Sequence, residues 1–357
     1  MIHSNHRGQG RGPTPARARG RFPYGLGVLA SLLLCGCWTA SPREVVVYTA
    51  LDREFSEPLL DDFRRQTGIR VLAKYDVEST KTVGLTQAII AESSRPRCDL
   101  FWNNEVLHTV RLAERGLLQP YDAPAAADYP AACRAPDKTW YGFAARARVL
   151  IVNTDLVPGR ERPTSILALV DRRWQGRVGV AKPLFGTTAT HAACLFATWG
   201  APRAQDYFRG LQDHAQVLSG NKQVAAAVAR GQLAFGLTDT DDAIIEQEQG
   251  FPVEIVYPDQ QPDGMGTLFI PNTVALIRGA PHEAAARQLL DYLLSPEVES
   301  RLAEGPSAQV PLNPRVSVRP RVETPHTVRP MTVDFAAAAA SWDEAAAFLR
   351  DQFARAD

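Results

Sequence analysis

The sequence has few cysteines, few aromatic residues and no excess of charge of either sign. Five cysteines in 357 residues are too few for a disulfide-stabilised scaffold. The 39 basic and 39 acidic side chains give a formal net charge of zero, which excludes a strongly basic nucleic-acid-binding protein. A hydrophobic content of 45% excludes a disordered chain, and the length suffices for about two domains.

Long hydrophobic runs are also scarce, and only one, at residues 25–35, could contact a membrane. It is too short to span a bilayer, and it follows a segment with five arginines and no acidic residue, which is typical of a secretory signal. The next residues, Leu34-Cys35-Gly36-Cys37, resemble the bacterial lipobox. That resemblance implies cleavage before Cys37 and lipidation of its thiol. An ordinary signal peptide cut nearby, or a short anchor, is the alternative.

Loss of residues 1–36 would leave 34 basic and 39 acidic side chains, a net charge of −5. The three cysteines that remain, Cys98, Cys133 and Cys194, permit at most one internal disulfide. None of them belongs to a CxxC pair or a spaced cysteine–histidine cluster, so no zinc site is expected. Buried free thiols are expected, although the sequence does not choose among the pairings.

Predicted strands and helices alternate along the mature chain. Residues 44–50 are a β-branched strand, apolar residues at helical spacing follow, and Gly68 ends that helix. Residues 69–75 are the next strand, so the chain begins with a β-α-β unit and a parallel pair. The alternation continues to a helix opened by Pro281, and the alanine-rich segment 335–355 is predicted to be one last helix. This pattern predicts two α/β lobes.

Several stretches together resemble the periplasmic solute-binding proteins of ABC importers, and among these the ferric-ion-binding proteins. They are VVVYTALD, DLFWNNEVLHTVRLAERGLL, WYGFAARARVLIVNTDLV, DRRWQGRVGVAKP, VAAAVARGQLAFGLTD and PNTVALIRGAPHEAAARQLLDYLLSPEVESRLA. The resemblance covers most of the chain from Glu44 to about Arg315. It implies the two-lobed type II periplasmic-binding-protein fold, with a ligand cleft between the lobes and a hinge of crossing strands.

The resemblance also implies the organisation of the chain and its partners. Residues 1–36 would be the lipoprotein signal peptide and 37–43 a tether, with lobe I at 44–145 and 270–315 and lobe II at 146–269 and 316–357. The expected protein is an exported monomer, held by its lipid on a membrane and facing the periplasm or the cell exterior. An ABC-transporter permease with its ATPase would receive a small ligand from it. No nucleic-acid partner is expected, and no enzymatic activity, since neither a GxSxG nor an HExxH motif occurs.

Polar turns follow four of the predicted strands, at residues 49–52, 103–105, 186–190 and 238–242. In open α/β sheets, ligands bind beyond the carboxyl ends of strands and at helix N-termini. These turns, the strand ends beside them, the crossover and the segment before the next helix supply the candidate ligand-binding residues. They are Tyr48, Asp52, Lys81, Asn103, Asn104, Arg146, Thr187, Thr188, Thr238 and Thr240.

The turn at residues 238–242 reads Thr-Asp-Thr-Asp-Asp. Three carboxylates in four residues repel one another unless a cation or hydrogen-bond donors compensate them. Hard cations, and Fe³⁺ by extension, prefer carboxylate oxygens, although helix capping would account for one of the aspartates. We predict metal ligands at Glu105, Asp239 and Asp241, for Fe³⁺ or another hard cation that is transported; no cofactor is required.

The turn at residues 186–190 is predicted to begin a helix, where backbone N–H groups favour an anion. The family resemblance implies a synergistic anion such as phosphate or carbonate on this turn, and Arg146 could contact it. Helix capping is the alternative for Thr187 and Thr188, and a salt bridge between the lobes is the alternative for Arg146.

The chain departs from the ferric-binding pattern at its acidic turn. Thr240-Asp241 stands where the family has a tyrosine pair, and Asp52 where some members have histidine. A glutamate ligand of the family falls on Asn104 without a gap, or on Glu105 with a shift of one residue. Two ligand classes therefore stay open. The first is a metal ion, with ferric iron and an anion preferred, and the second is an organic solute such as a sugar phosphate, a phosphonate or a cationic amine.

Overall fold

The computed structural model describes residues 43–76 and 82–353. The predicted signal peptide, the predicted lipidation site Cys37 and the candidate ligand residue Lys81 lie outside the described residues. Among the residues that are described, no helix combines the length and the apolar character needed to cross a membrane.

The chain begins with the predicted β-α-β unit. Strand β1 (Glu44–Thr49) and strand β2 (Arg70–Tyr75) pair in parallel, and helix α1 (Arg53–Thr67) connects them. Helix α1 ends at Gly68, whose φ of 69° lies in the left-handed region that glycine adopts without strain. This confirms the predicted end of the helix.

Further strands and helices alternate, as the sequence predicts. The remaining strands are β3 (Leu100–Asn103), β4 (Leu118–Gln119), β5 (Tyr141–Asn153), β6 (Val178–Ala181), β7 (Ala215–Leu218), β8 (Phe235–Asp239), β9 (Val253–Val256) and β10 (Phe269–Ile277). The remaining helices are α2 (Val83–Ala91), α3 (Leu107–Glu114), α4 (Gly186–Trp199), α5 (Ala201–His214), α6 (Asn221–Ala229), α7 (Thr240–Glu248), α8 (Glu283–Leu293), α9 (Pro296–Glu304), α10 (Phe335–Ala340) and α11 (Trp342–Phe353).

The strand order is β2-β1-β3-β10-β5-β8-β6-β7, with β4 added to β10 and β9 added to β5. Strand β5 has 13 residues, all buried, and it is shared between two sheets. Its first half pairs with β10 and its second half with β8 and β9. We call the β2-β1-β3-β10 side the first sheet and the β8-β6-β7 side the second sheet. Strand β5 is thus the crossing strand that the sequence predicts.

Each sheet has its own apolar core. Around the first sheet, α1, α8 and α9 contribute residues such as Phe63, Leu290 and Val298. Around the second sheet, α4, α5 and α11 contribute residues such as Leu195 and Phe208. Two cores joined by a crossing strand make the two-lobed α/β architecture predicted from the sequence.

The prediction of one C-terminal helix over residues 335–355 is wrong in detail. Two helices, α10 and α11, occupy that segment, and Ser341 separates them. The Ser341 hydroxyl donates to the Ala337 carbonyl over 3.0 Å, a local bond that competes with continuation of the helix. The break lets α10 pack on α3 and α4 while α11 packs on α4 and α5.

The described cysteines are free, which confirms the expectation of unpaired thiols. Cys98 and Cys194 are buried, whereas Cys133 is only partly buried.

Candidate functional site

A cavity of about 620 Å³ lies where the strands of both sheets end. Each segment that lines it follows the carboxyl end of a strand or lies on β5, which is where open α/β sheets bind ligands. Four lining residues are cationic and six are acidic, and the described lining contains no tyrosine, histidine or cysteine. The predicted site residues that line the cavity are Asp52, Asn104, Arg146, Thr187, Thr188, Asp239 and Asp241.

The first turns of α4 and α6 lie side by side at this cavity. The Thr188 hydroxyl donates to Asn221 Oδ1 over 3.1 Å, and Asn221 Nδ2 donates to Thr187 Oγ1 over 2.9 Å. Helix α4 begins at Gly186, whose φ of 57° again requires the left-handed region. The free N–H groups of a helix start carry partial positive charge, so two adjacent starts favour an anionic group.

Arg148, on β5, holds these two turns together from behind the cavity. Its side chain is fully buried, and Nη1 donates to Asn221 Oδ1 over 3.1 Å and to Thr187 Oγ1 over 3.3 Å. Nη2 donates to Thr188 Oγ1 over 3.2 Å. A guanidinium group presents several donors in one plane, so a single side chain can position all three partners.

Asp239 is the anionic partner of Arg148. The distance from Arg148 Nη1 to Asp239 Oδ1 is 2.7 Å, and Oδ2 accepts from Thr187 Oγ1 (2.5 Å) and Asn221 Nδ2 (3.0 Å). Burial opposes ionisation of this carboxyl group, but Arg148 and Arg146 hold its pKa below the usual value. Asp239 is therefore a charged member of a hydrogen-bonded network.

Arg146, two residues before Arg148 on β5, connects the two sheets. Its Nη2 donates to the Asn104 carbonyl oxygen, and its Nη1 lies 3.7 Å from Asp241 Oδ2. Its side chain is 3% exposed, and none of the described protein atoms accepts a hydrogen bond from Nε. Asn104 Oδ1 likewise has no donor in the described protein. The ion pair joins Arg146 to a residue on the side of the second sheet, whereas its contact with the side of the first sheet is a hydrogen bond to a backbone carbonyl. Among the described residues, Arg146 therefore forms no salt bridge between the lobes, which the sequence left open as an alternative.

The acidic turn brings three carboxylates close together. Asp239, Asp241 and Asp242 each offer one oxygen atom, and these atoms lie within 4.8 Å of one another. Such an oxygen set suits a hard cation. The same carboxylates also have cationic neighbours in the protein, because Arg148 pairs with Asp239 and Arg146 lies beside Asp241.

Glu105 and Asn103, predicted at the site, lie in a buried network behind the cavity. Glu105 accepts from Asn103 Nδ2 (2.6 Å), from the backbone N–H of Leu107 (2.6 Å) and from Thr190 Oγ1 (2.9 Å). Burial opposes its ionisation, while His108 lowers its pKa below the usual value. Glu105 therefore caps α3 and connects it to α4, and it does not belong to the acidic group of the turn.

Tyr48, Thr238 and Thr240 also lie outside the cavity lining. The Tyr48 hydroxyl donates to Glu92 over 2.9 Å, and its ring packs in the core of the first sheet. Thr238 Oγ1 donates to the Asn221 carbonyl (3.1 Å), and Thr240 Oγ1 accepts from the N–H of Ala147 (3.1 Å). The two threonines thus connect the acidic turn to α6 and to β5.

Sequence reasoning missed Arg148 and several lining residues, among them Lys182, Asn221 and Lys222. Lys182 directly follows β6, and Asn221 and Lys222 follow a Ser-Gly turn after β7, so a search of every strand end would have found them. Lys222 also pairs with Glu54 over 3.1 Å and so connects α6 with α1.

Residues 99–338 match the sequence profile of the bacterial extracellular solute-binding proteins. The chain belongs to this family. Membership in this family implies a small ligand and a permease partner of an ABC importer. Several relatives and solved neighbours of the chain are named as binding proteins, some of them as periplasmic.

Relatives in the solute-binding family carry names for different ligands. The major ferric iron-binding protein of Neisseria meningitidis is 23% identical over 295 residues, which cover 80% of this chain and 86% of the relative. A putative 2-aminoethylphosphonate-binding periplasmic protein of Salmonella paratyphi A is 23% identical over 258 residues, covering 71% of this chain and 73% of the relative.

Solved structures of solute-binding proteins confirm the two-lobed fold. Iron-bound HitA from Pseudomonas aeruginosa has a TM-score of 0.79 and 22% identity, covering 87% of this chain and 99% of that one. AfuA from Actinobacillus pleuropneumoniae, with fructose-6-phosphate bound, has a TM-score of 0.78 and 21% identity, covering 88% and 100%.

Proposed function

We propose that this solute-binding protein captures a small organic phosphate or phosphonate and delivers it to the permease of an ABC importer. The phosphate group would lie on the adjacent first turns of α4 and α6. The remainder of the solute, with hydroxyl or amino groups, would lie against the acidic side chains of the cavity.

The observation that carries this proposal is the junction of α4 and α6. The hydroxyls of Thr187 and Thr188 donate to Asp239 and Asn221, so the backbone N–H groups of the first turns are the donors left for an anion. Arg146, Lys182 and Lys222 line the same cavity and add positive charge to the same region. The cavity volume, about 620 Å³, is in the range that small organic ligands occupy.

The acidic residues give the cavity a second chemical character. Asp52, Asp241 and Asp242 line it and offer acceptors for hydroxyl or ammonium groups. A sugar phosphate or an aminophosphonate carries both kinds of group. One relative and one solved structure support organic phosphates and phosphonates as the ligand class. The relative is named as a putative 2-aminoethylphosphonate-binding protein, and the structure was solved with fructose-6-phosphate.

The proposed mechanism is closure of the two lobes around the ligand. Lobe I would be residues 44–145 and 270–315, and lobe II residues 146–269 and 316–357, with β5 as part of the hinge. Closure excludes water and strengthens the contacts between the ligand and the charged side chains.

Calorimetric titration of ligand-stripped protein tests the proposed ligand class. We expect saturable heat with fructose 6-phosphate or 2-aminoethylphosphonate, and none with unphosphorylated fructose or ethylamine. Binding of the unphosphorylated compounds with equal affinity would contradict the proposal.

A lysine substitution tests the location of the phosphate. Lys182→Met removes a cationic group from the lining and is expected to weaken binding of the phosphorylated solute about tenfold or more. Lys138→Met is the matched control, since Lys138 pairs with Asp122 far from the lining. Equal effects of the two substitutions would place the phosphate elsewhere.

A hard cation, with ferric iron preferred, is the second candidate ligand. It is favoured by the three carboxylates of the acidic turn and by the ferric iron-binding relatives. Titration of metal-stripped protein with ferric citrate, with and without phosphate, separates the candidates. Binding of Fe³⁺ without any organic phosphate, lost in Asp241→Ala, would replace the first candidate by the second.

We also propose that the chain is exported and anchored through lipid on Cys37, as a monomer. The lipobox resemblance supports the anchor. Mass spectrometry of the mature N-terminus checks this, and Cys37→Ser is expected to release the protein from the membrane fraction.

A further inference from the structure

We propose that Arg148 determines the sign of the charge that the cavity accepts. It neutralises Asp239, and it fixes the two helix starts in the orientation that suits an anion. The part concerning the anion rests on the proposed function, whereas the part concerning cations does not.

The first argument is the balance of charge behind the cavity. Arg148 is fully buried, and its only ion pair among the described residues is with Asp239, at 2.7 Å. A buried charge must be compensated by a partner of opposite sign, and here each side chain compensates the other. Asp239 therefore contributes no net negative charge to the acidic turn.

The second argument concerns the carboxylates that remain when Arg148 is replaced by an uncharged residue. Asp239 would lose its ion-pair partner and retain only the weaker influence of Arg146, while its oxygen atom stays within reach of Asp241 and Asp242. Three carboxylates at that spacing form an oxygen-rich set of the kind that hard cations prefer. In the native chain, Arg148 satisfies the electrostatic requirement that a cation would otherwise meet.

The third argument is that Arg148 acts on the cavity only through other residues. It does not line the cavity, but it donates to Thr187, Thr188 and Asn221, which do. Arg148 is thus a positioning residue. A lysine at this place would keep the charge but could not reach all of these partners, because its ammonium group lacks the planar fork.

Titration with Tb³⁺, a hard trivalent cation, tests the inference in the full chain. Arg148→Met is expected to bind Tb³⁺ at least tenfold more tightly than the native protein, and Arg148→Met/Asp239→Asn is expected to return to the native affinity. Arg172→Met, at an exposed arginine outside the cavity lining, is the control and should leave Tb³⁺ affinity unchanged. No gain in Arg148→Met, or an equal gain in the double variant, would overturn the inference.

Arg148→Lys keeps the test decisive if Arg148→Met does not fold. It is expected to keep the native Tb³⁺ affinity and to lose at least tenfold in affinity for the phosphorylated solute. A gain in Tb³⁺ affinity in Arg148→Lys would contradict a role for the charge. If the native protein binds no organic phosphate while Arg148→Met gains Tb³⁺ affinity, the proposed function fails. The inference that Arg148 keeps cations out of the cavity then still holds.

Discussion

The two sheets contribute to the cavity in different ways. On the side of the second sheet, Arg148, Asp239, Asn221 and two threonines form a connected network of buried and partly buried hydrogen bonds. On the side of the first sheet, the lining residues are mostly the exposed charged side chains of the first turn of α1, such as Glu54 and Glu57.

This difference indicates that the two sides of the cavity have different roles in binding. Buried hydrogen-bonded networks fix side chains in one geometry before the ligand arrives, which lowers the entropic cost of binding. Exposed ion pairs are weak and easily rearranged. We therefore expect the affinity and selectivity for the ligand to depend mainly on residues on the side of the second sheet. Closure of the lobes around the bound ligand should depend mainly on residues on the side of the first sheet.

Asn221→Ala should have the largest effect on affinity. Asn221 bonds to both threonines, to Arg148 and to Asp239, so its loss disrupts several partly buried hydrogen bonds at once. If the loss is equivalent to two hydrogen bonds, at about 1.5 kcal/mol of binding free energy each, affinity for the phosphorylated solute should fall about 100-fold. Gln216→Ala, at an exposed position on β7 of the same sheet, should leave calorimetric affinity unchanged. A comparable loss in Gln216→Ala would show that the effect does not come from the hydrogen-bonded network.

The second expected effect concerns acid stability on the side of the second sheet. Burial and Arg148 lower the pKa of His191 from 6.5 to about 3. Between these values the unfolded chain binds a proton that the folded chain does not, so the free energy of unfolding falls as pH falls. At about pH 5 the loss is about 2 kcal/mol.

Urea unfolding at neutral pH and near pH 5 measures this loss. His191→Asn should remove the contribution of about 2 kcal/mol to the decrease in unfolding free energy between neutral pH and pH 5. His326→Asn, at an exposed loop position, should show the same decrease as the native protein. An unchanged slope in His191→Asn would show that the imidazole is not held neutral.

The third prediction compares an acidic residue in the cavity with one on the surface. Asp241→Ala should weaken binding of 2-aminoethylphosphonate about tenfold, because one acceptor for the ammonium group is lost. Asp122→Ala should have no effect, since the Asp122 side chain is 79% exposed and lies outside the lining. The calorimetric affinity for inorganic phosphate should change less than that for the aminophosphonate in Asp241→Ala.

The smallest expected effect is that of the ion pair between the two sides. Lys222 Nζ lies 3.1 Å from Glu54 Oε1, and both side chains are more than half exposed. A double-mutant cycle with Lys222→Met and Glu54→Gln should give a coupling of about 0.2–1 kcal/mol in ligand affinity. A coupling as large as the Asn221 effect would mean that the first sheet is also preorganised.

Much of the fold follows from local signals in the sequence. The β-branched run of β1, the helical spacing in α1 and Gly68 at its end are each read from a few adjacent residues. The same holds for turns after strands, and Asp52, Asn104, Thr187, Thr188 and Asp241, predicted from such turns, do line the cavity.

The parts that were missed depend on contacts between distant segments. Arg148 lies inside the apolar strand ARVLIVN, and its partner Asp239 is 91 residues away, so nothing local marks the pair. Tyr48 and Glu105 have the residue types of ligands, but their partners Glu92 and Thr190 hold them in the interior. Orientation at a strand end depends on packing that only the folded chain specifies.

The cysteines of the described residues have a practical consequence for measuring the motion of the lobes. Cys98 and Cys194 are buried, and burial raises the pKa of Cys133 to about 11. At neutral pH only about one in ten thousand Cys133 thiols is ionised, and the thiolate is the form that reacts with maleimides. Label pairs introduced at Glu57→Cys and Gln223→Cys, on α1 and α6, could therefore report the distance across the cavity without prior removal of these native thiols.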